Sequence, residues 1–385
     1  MSINIYISAG ETSGDTHGAG LAAELYKLNE EFHISGMGGE SMSECGVEIF
    51  RDCRDYSVMG FFGVIARLGD FRKLLVDVQK HIRERGITTV ILIDYSGFNL
   101  RLAKALNGSG VKVIYFVSPQ VWAWRTGRVK MIREFTERMI TIFPFEKEFY
   151  QKHGVDVDYV GHPILDRIPL LDINQRREKA EAFKIKNQLV PDAPTLALFP
   201  GSRKQEVERM LPTMLDTAML IKKEIGALNV TIALAPGMDI SRYIEMDNYR
   251  KLKLATVRNN STDVLFSSDS ALVSSGSTTI EAAVCGTPQV VMYKTGFTTY
   301  LIARSMVEVD YIAMANLVAG EQIVPEFIQS GARPESLKKA LLPLLTDKDT
   351  WFQAHKEALA IRDKLGENGA YRRAAEIVMD IIKSS

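Results

Sequence analysis

Arg203 stands where a charged side chain could hold a phosphate. It lies in Leu198-Phe199-Pro200-Gly201-Ser202-Arg203-Lys204-Gln205-Glu206, after the apolar run Thr195 to Phe199 and before a helical pattern that begins near Lys204. A strand, a tight turn and a helix start leave unpaired backbone N–H groups beside Gly201 and Ser202, at the positive end of a helix dipole. A guanidinium adds a planar fork that can grip a phosphate at two points. A Pro-Gly turn of this kind can equally be a plain connection that binds nothing. A second small-residue turn, Ser275-Gly276-Ser277-Thr278, opens another helix with Glu281 in its first turn. Its amides suit a phosphate. Glu281 could accept from both hydroxyls of a ribose or merely complement the helix dipole.

The other half of the chain offers carboxylates. Gly10-Glu11-Thr12-Ser13-Gly14-Asp15 follows the strand pattern Ile3–Ala9, and Asp94 follows the strand pattern Thr89–Ile93. Both sit at the carboxyl end of a strand, where a doubly wound sheet places its ligand. The acidic Glu11 and Asp15 make this loop a poor phosphate cradle and suit it to sugar hydroxyls or proton transfer, with helix capping by Ser13 or Asp15 the plainer alternative. Asp94 has the place of a general base or of an N-cap for the helix that follows. Ser118-Pro119-Gln120-Val121-Trp122-Ala123-Trp124-Arg125 holds two of the three tryptophans. Aromatic faces beside polar groups suit a sugar or lipid headgroup, and a buried tryptophan plug is the other reading. The pair Asp156 and Asp158, on a short strand pattern near a linker, reads as surface rather than as a metal–nucleotide site.

The elements that must position these residues alternate from end to end, strand then helix, which predicts parallel sheets with helices on both faces. At 385 residues two domains are expected. The boundaries read as 1–165, 166–345 and a helical tail, 346–385, that packs back on the first domain or forms a dimer surface. Lys+Arg and Asp+Glu both number 47, so no basic excess marks a general nucleic-acid binder. Cys45, Cys53 and Cys285 are odd in number and scattered, which fits a reducing cytosol and no zinc spacing. No apolar run reaches the roughly 20 residues needed to span a bilayer, and the start lacks the features of a signal peptide. One stretch is unusual: Val58, Met59, Phe61, Phe62, Val64 and Ile65 are followed by Arg67, Leu68 and Arg72. An apolar segment with a basic flank can lie in a bilayer interface or grip an acyl chain. A buried helix is the commoner outcome of such a pattern.

Together these stretches resemble the lipid-A-disaccharide synthase family, glycosyltransferases of the GT-B fold. The resemblance covers nearly the whole chain. It is carried by Ala9–Asp15, Gly36-Met37-Gly38-Gly39, Asp94–Asn99, Ser118–Arg125, Phe143-Pro144-Phe145-Glu146, Val160-Gly161-His162-Pro163, Pro200–Arg203 and Ser275–Ala283, in that order. The family often has Ala at position 12 and Pro-Asp or similar at 96–97, where this chain has Thr12 and Ser96-Gly97.

The resemblance implies two Rossmann-like doubly wound domains facing a central cleft. The first takes the lipid acceptor and the second the UDP-sugar. The implied reaction transfers diacylglucosamine from its UDP derivative to the primary hydroxyl of diacylglucosamine 1-phosphate (lipid X), giving the β-1,6-linked lipid A disaccharide and UDP with inversion. It implies no cofactor and no metal. It also implies a cytoplasmic enzyme peripheral to the inner face of the membrane through 58–72, with a homodimer open. On this reading Asp94 is the base and Glu11 its rival or partner. Gly201, Ser202, Arg203, Ser275, Gly276, Ser277 and Thr278 hold the diphosphate, Glu281 the ribose, and Asn316 and Gln322 face the donor. Two alternatives remain: a UDP-N-acetylglucosamine 2-epimerase of the same fold, and a non-catalytic UDP-gated membrane binder.

Overall fold

The computed structural model describes residues 3–56, 68–124, 126–235, 237–244, 249, 251–296, 300, 304 and 309–384. The chain divides into two compact units, one made of 1–163 with 366–385 and the other of 164–365. The expected tail, 346–385, is split between them. Helix Lys348–Lys364 stays with the second unit, where it packs on helices Thr278–Val284 and Pro334–Thr346, while helix Ala370–Lys383 packs on helix Thr12–Leu28 of the first.

The first unit is built on seven parallel strands: β1 (Ile3–Ala9), β2 (Phe32–Gly38), β3 (Glu48–Asp52), β4 (Thr89–Ile93), β5 (Lys112–Phe116), β6 (Arg138–Thr141) and β7 (Val157–Tyr159). Their spatial order is β3-β2-β1-β4-β5-β6-β7. Apolar residues occupy both faces because helices cover both. Ile5, Ile7, Ile91 and Ile93 pack with Leu21, Leu25 and Val378 on one side. The alternating Tyr6, Val90 and Leu92 pack with Leu74, Val78 and Leu102 on the other. Period-two alternation thus feeds two cores from one strand.

The second unit has six parallel strands: β8 (Thr195–Phe199), β9 (Asn229–Leu234), β10 (Lys253–Arg258), β11 (Ser270–Ser274), β12 (Gln289–Tyr293) and β13 (Glu326–Ile328). Their order is β10-β9-β8-β11-β12-β13. Leu196, Leu198, Val230 and Ile232 meet Met210, Leu211 and Met214 of helix Lys204–Ile225 and Leu337 and Leu341 of helix Pro334–Thr346.

Both sheets reverse their winding once. In the first the chain winds from β1 outward to β3, then returns to pair β4 with the other side of β1. In the second it winds from β8 to β10 and returns to pair β11 with β8. Loops leaving the carboxyl ends of two such neighbouring strands run apart and leave a crevice. The crevice strands are β1 and β4 in one unit, β8 and β11 in the other.

Candidate active site

Glu11 and Asp94 leave the two crevice strands of the first unit. Tyr95 brings their loops together. Its ring covers Gly10, where an added Cβ would lie 2.1 Å from a ring carbon, so only glycine fits. Its hydroxyl donates to the Tyr56 carbonyl oxygen at 2.9 Å. Glu11 is exposed at the head of helix Thr12–Leu28 and makes no side-chain cap. Asp94 is half-buried, and burial together with the Glu11 charge pushes its carboxyl up to about 7. A carboxylate poised there can take a proton from a hydroxyl near neutral pH.

The backbone at this point is bent to an unusual degree. Asp94 and Tyr95 both have left-handed φ angles, 41° and 45°. Each costs a non-glycine residue of order 1–2 kcal/mol, so the surroundings must hold them. Asn99, fully buried on the next helix, donates its amide to the carbonyl oxygens of Ile93 (3.0 Å) and Asp94 (2.9 Å) and accepts from the Ser8 hydroxyl (2.7 Å). The Tyr115 hydroxyl donates to the same Asp94 oxygen.

Asp15 serves differently from Glu11. It is buried and accepts from the backbone N–H groups of Gly39 (2.6 Å), Ser41 (3.0 Å) and Met42 (3.1 Å). It therefore caps the short helix Glu40–Glu44 rather than its own. The tryptophan loop divides in the same way. Trp122 is buried and donates its indole N–H to Glu146 at 3.1 Å, while Trp124 is 39% exposed. Glu146 also accepts from the Phe143 N–H at 3.1 Å, and its burial raises it to about 7. Asp158 pairs with Arg138 on the neighbouring strand at 3.3 Å. Among the described residues no group of three His, Cys, Asp or Glu is gathered to hold a metal ion.

In the second unit the two small-residue turns leave β8 and β11, the crevice strands. Gly201 has φ of 111°, and an added Cβ would lie 2.5 Å from a Glu206 carboxylate oxygen. Glu206 accepts from the N–H groups of Ser202 (3.2 Å) and Arg203 (3.3 Å), and its other oxygen is 3.7 Å from the Arg203 guanidinium. The amides assigned to a phosphate from the sequence are thus shared with an internal carboxylate. The Arg203 side chain remains 58% exposed. On the β11 side, the Ser275 hydroxyl donates to the Ile312 carbonyl oxygen (2.7 Å) and Thr279 to that of Gly276 (2.8 Å). Glu281 accepts from the Ser261 hydroxyl at 2.9 Å. Gly276 and Ser277 are exposed and Thr278 is half-buried.

Asn316, expected to face a donor, does something else. It is fully buried. Its amide donates to the Val324 carbonyl oxygen and to Glu326 (2.9 and 2.8 Å), and its oxygen accepts from the N–H groups of Ile323 and Val324, both at 2.9 Å. Every hydrogen-bonding position of the side chain is used inside its own loop, so none is left for a ligand. Gln322, carried by that loop, is exposed. Of the apolar and basic stretch, Val58, Met59, Phe61, Phe62, Val64, Ile65 and Arg67 lie outside the described residues, as does the Leu68 side chain, and Arg72 is exposed on helix Leu68–Glu84.

Comparison with known proteins decides what these two crevices belong to. The model of the lipid-A-disaccharide synthetase family matches residues 5–381. The chain belongs to the lipid-A-disaccharide synthetase family. It is 37% identical to the lipid-A-disaccharide synthase of Myxococcus xanthus, over 98% of this chain and 97% of that one. Lipid-A-disaccharide synthetases are glycosyltransferases, and this chain is one.

Solved structures set its GT-B fold among others. The glycotransferase of kitacinnamycin matches with a TM-score of 0.64 at 14% identity, covering 98% of both chains. The UDP-GlcNAc 2-epimerase of Neisseria meningitidis, bound to UDP-GlcNAc, matches at 0.60 and 11%, covering 100% of both. At such identities the likeness shows the fold alone.

In this synthetase several residues stand at the site without having been singled out by type. Asn99 falls five residues after Asp94, on the buried face of a helix, and that spacing was the available signal. Glu206 follows Arg203 at the third helical position, the familiar place of a carboxylate that folds back on an N-cap. Tyr115, Ser261 and Glu326 reach their partners through the fold, and nothing local in the sequence marks them.

Proposed function

We propose that this glycosyltransferase condenses UDP-2,3-diacylglucosamine with 2,3-diacylglucosamine 1-phosphate, forming a β-1,6-linked disaccharide and UDP. The observation that carries the assignment of roles is topological. The carboxylates leave the crevice strands of one sheet, and the arginine and small-residue turns leave those of the other. An α-linked donor and a β-linked product require a single displacement with inversion. Asp94 takes the proton from the acceptor's primary hydroxyl as its oxygen attacks the anomeric carbon. Glu11 holds the acceptor and keeps Asp94 basic through its charge. Arg203 stabilises the diphosphate as the glycosidic bond breaks, assisted by the turn residues Gly201, Ser202, Ser275, Gly276, Ser277 and Thr278. Glu281, oriented by Ser261, takes the ribose hydroxyls. Gln322 faces the donor from a loop that Asn316 and Glu326 brace.

Both substrates carry acyl chains and partition into a bilayer. The enzyme therefore works at the inner face of the cytoplasmic membrane, with residues 58–72 as its contact. No helix among the described residues is long and apolar enough to cross a membrane. Incubation with both lipids in detergent, with a chelator present, is expected to yield one UDP per disaccharide. Release of UDP without disaccharide, or conversion of UDP-N-acetylglucosamine to its epimer, overturns the reading.

A further inference from the structure

We infer that Asn99 is a positioning residue for the reaction, fixing where the Asp94 carboxylate points. The inference rests on Asp94 being the base. A strand that ended normally at Ile93 would carry the Asp94 side chain onward with the sheet. Here the chain turns left-handed at Asp94 and Tyr95. That turn swings the carbonyl oxygens of Ile93 and Asp94 towards one point, and the Asn99 amide occupies it. Its remaining contact, 3.3 Å to the Ser8 carbonyl oxygen, and the Ser8 hydroxyl on its own oxygen tie the same amide to β1. One buried side chain therefore sets the registry between the loop that bears Glu11 and the loop that bears Asp94. Tyr115 holds the Asp94 oxygen from the opposite neighbour, β5.

The groups that act on Asp94 electrostatically come from each of these elements. They are Glu11 from the β1 loop, the Tyr95 backbone beside it and Tyr115 from β5, while Arg128, whose charge acts on Tyr115, donates to Ser96 at 2.6 Å on the first turn of the Asn99 helix. Without the amide the left-handed turn relaxes. Asp94 then moves away from Glu11 and into water, and both changes favour its charged form.

The test is the pH profile of disaccharide formation in Asn99→Ala, with wild type and Asp94→Asn beside it. The expected result is a fall in kcat of about tenfold or more with KM for the UDP-sugar within about twofold. The acidic limb of the profile should move to lower pH. A purely structural role lowers the plateau by reducing the folded fraction and leaves the limb where it was, and that outcome overturns the inference. Asn99→Ser, which keeps one donor, should fall between alanine and wild type in both plateau and limb. It also serves if the alanine variant does not fold, and an unmoved limb there overturns the inference as well. Turnover retained by Asp94→Asn overturns the assignment of the base and the inference with it. Loss of turnover in Asp94→Asn with an unmoved limb in both Asn99 variants overturns the inference alone.

Discussion

Asp15 and Asp94 follow the two crevice strands of the first unit, one in the helix after β1 and one directly after β4, and are put to opposite uses. Asp15 accepts from three backbone N–H donors and braces the chain around Gly39–Met42. Asp94 offers its carbonyl oxygen to the donors around it, while its carboxyl is held at about 7 by burial and by Glu11. As the proposed base it must be deprotonated, so turnover should fall as pH drops below about 7, where that carboxyl gains its proton. The same shift has a sign in stability. A carboxyl whose folded pKa is raised binds its proton more tightly in the native state, so its contribution is present at low pH and is lost as pH rises through the folded value. Asp94→Asn should therefore abolish most turnover and raise Tm at pH 8, with the gain vanishing towards pH 4. A variant with no gain at pH 8 means that Asp94 is not strained there. At this scale the place of Glu11 and Asp94 beyond the ends of β1 and β4 was legible, because strand ends are readable from an apolar run and a turn. Sequence reasoning misplaced Asn316, because that side chain's partners lie seven to ten residues further on, in a loop whose folding no local pattern announces.

Helix Lys204–Ile225 is the element on which the proposed nucleotide binding depends. An exposed arginine caps its start, and Glu206 in its first turn already accepts from the Ser202 and Arg203 amides that precede it. Most of the affinity for a diphosphate then falls to the guanidinium rather than to the amides. A hydrogen bond to a charged group is worth about 1.5–3 kcal/mol, so Arg203→Ala should weaken UDP binding roughly tenfold or more. Its exposure means that Tm should hardly change. Unchanged affinity by calorimetry would remove Arg203 from the site. The central strands that carry these turns were legible, since each is apolar on both faces and bounded by glycine or proline. β3 and β13 were not. They are edge strands of five and three residues, largely half-buried, with charged residues at Glu48, Arg51, Asp52 and Glu326, and an edge strand lacks the pattern that a buried one must have.

The molecule as a whole is threaded so that its first unit is closed by its last helix. Ala370, Ala374, Ala375, Val378 and Ile381 are buried in the same core as Ile5, Ile7, Leu21 and Leu25. The Lys112 ammonium donates to the Ile381 carbonyl oxygen at 2.8 Å, and Arg373 donates twice to that of Val160. Removing residues 366–385 should split thermal unfolding into two transitions. The one belonging to residues 1–163 should fall by more than 10 °C, which corresponds to a loss of about 3–5 kcal/mol in a domain of this size. A truncated chain that melts as one transition at the original temperature would show the helix to be dispensable.

The threading also bears on the order in which the protein is made. The residues of the second unit follow one another without interruption, 164–365, whereas the first unit's sheet leaves the ribosome long before its closing helix. At roughly 5–20 residues per second, translating the intervening stretch of about 200 residues takes on the order of 10–40 s. For that interval one greasy face of the older half stands uncovered, so the part that is translated first is the part that matures last.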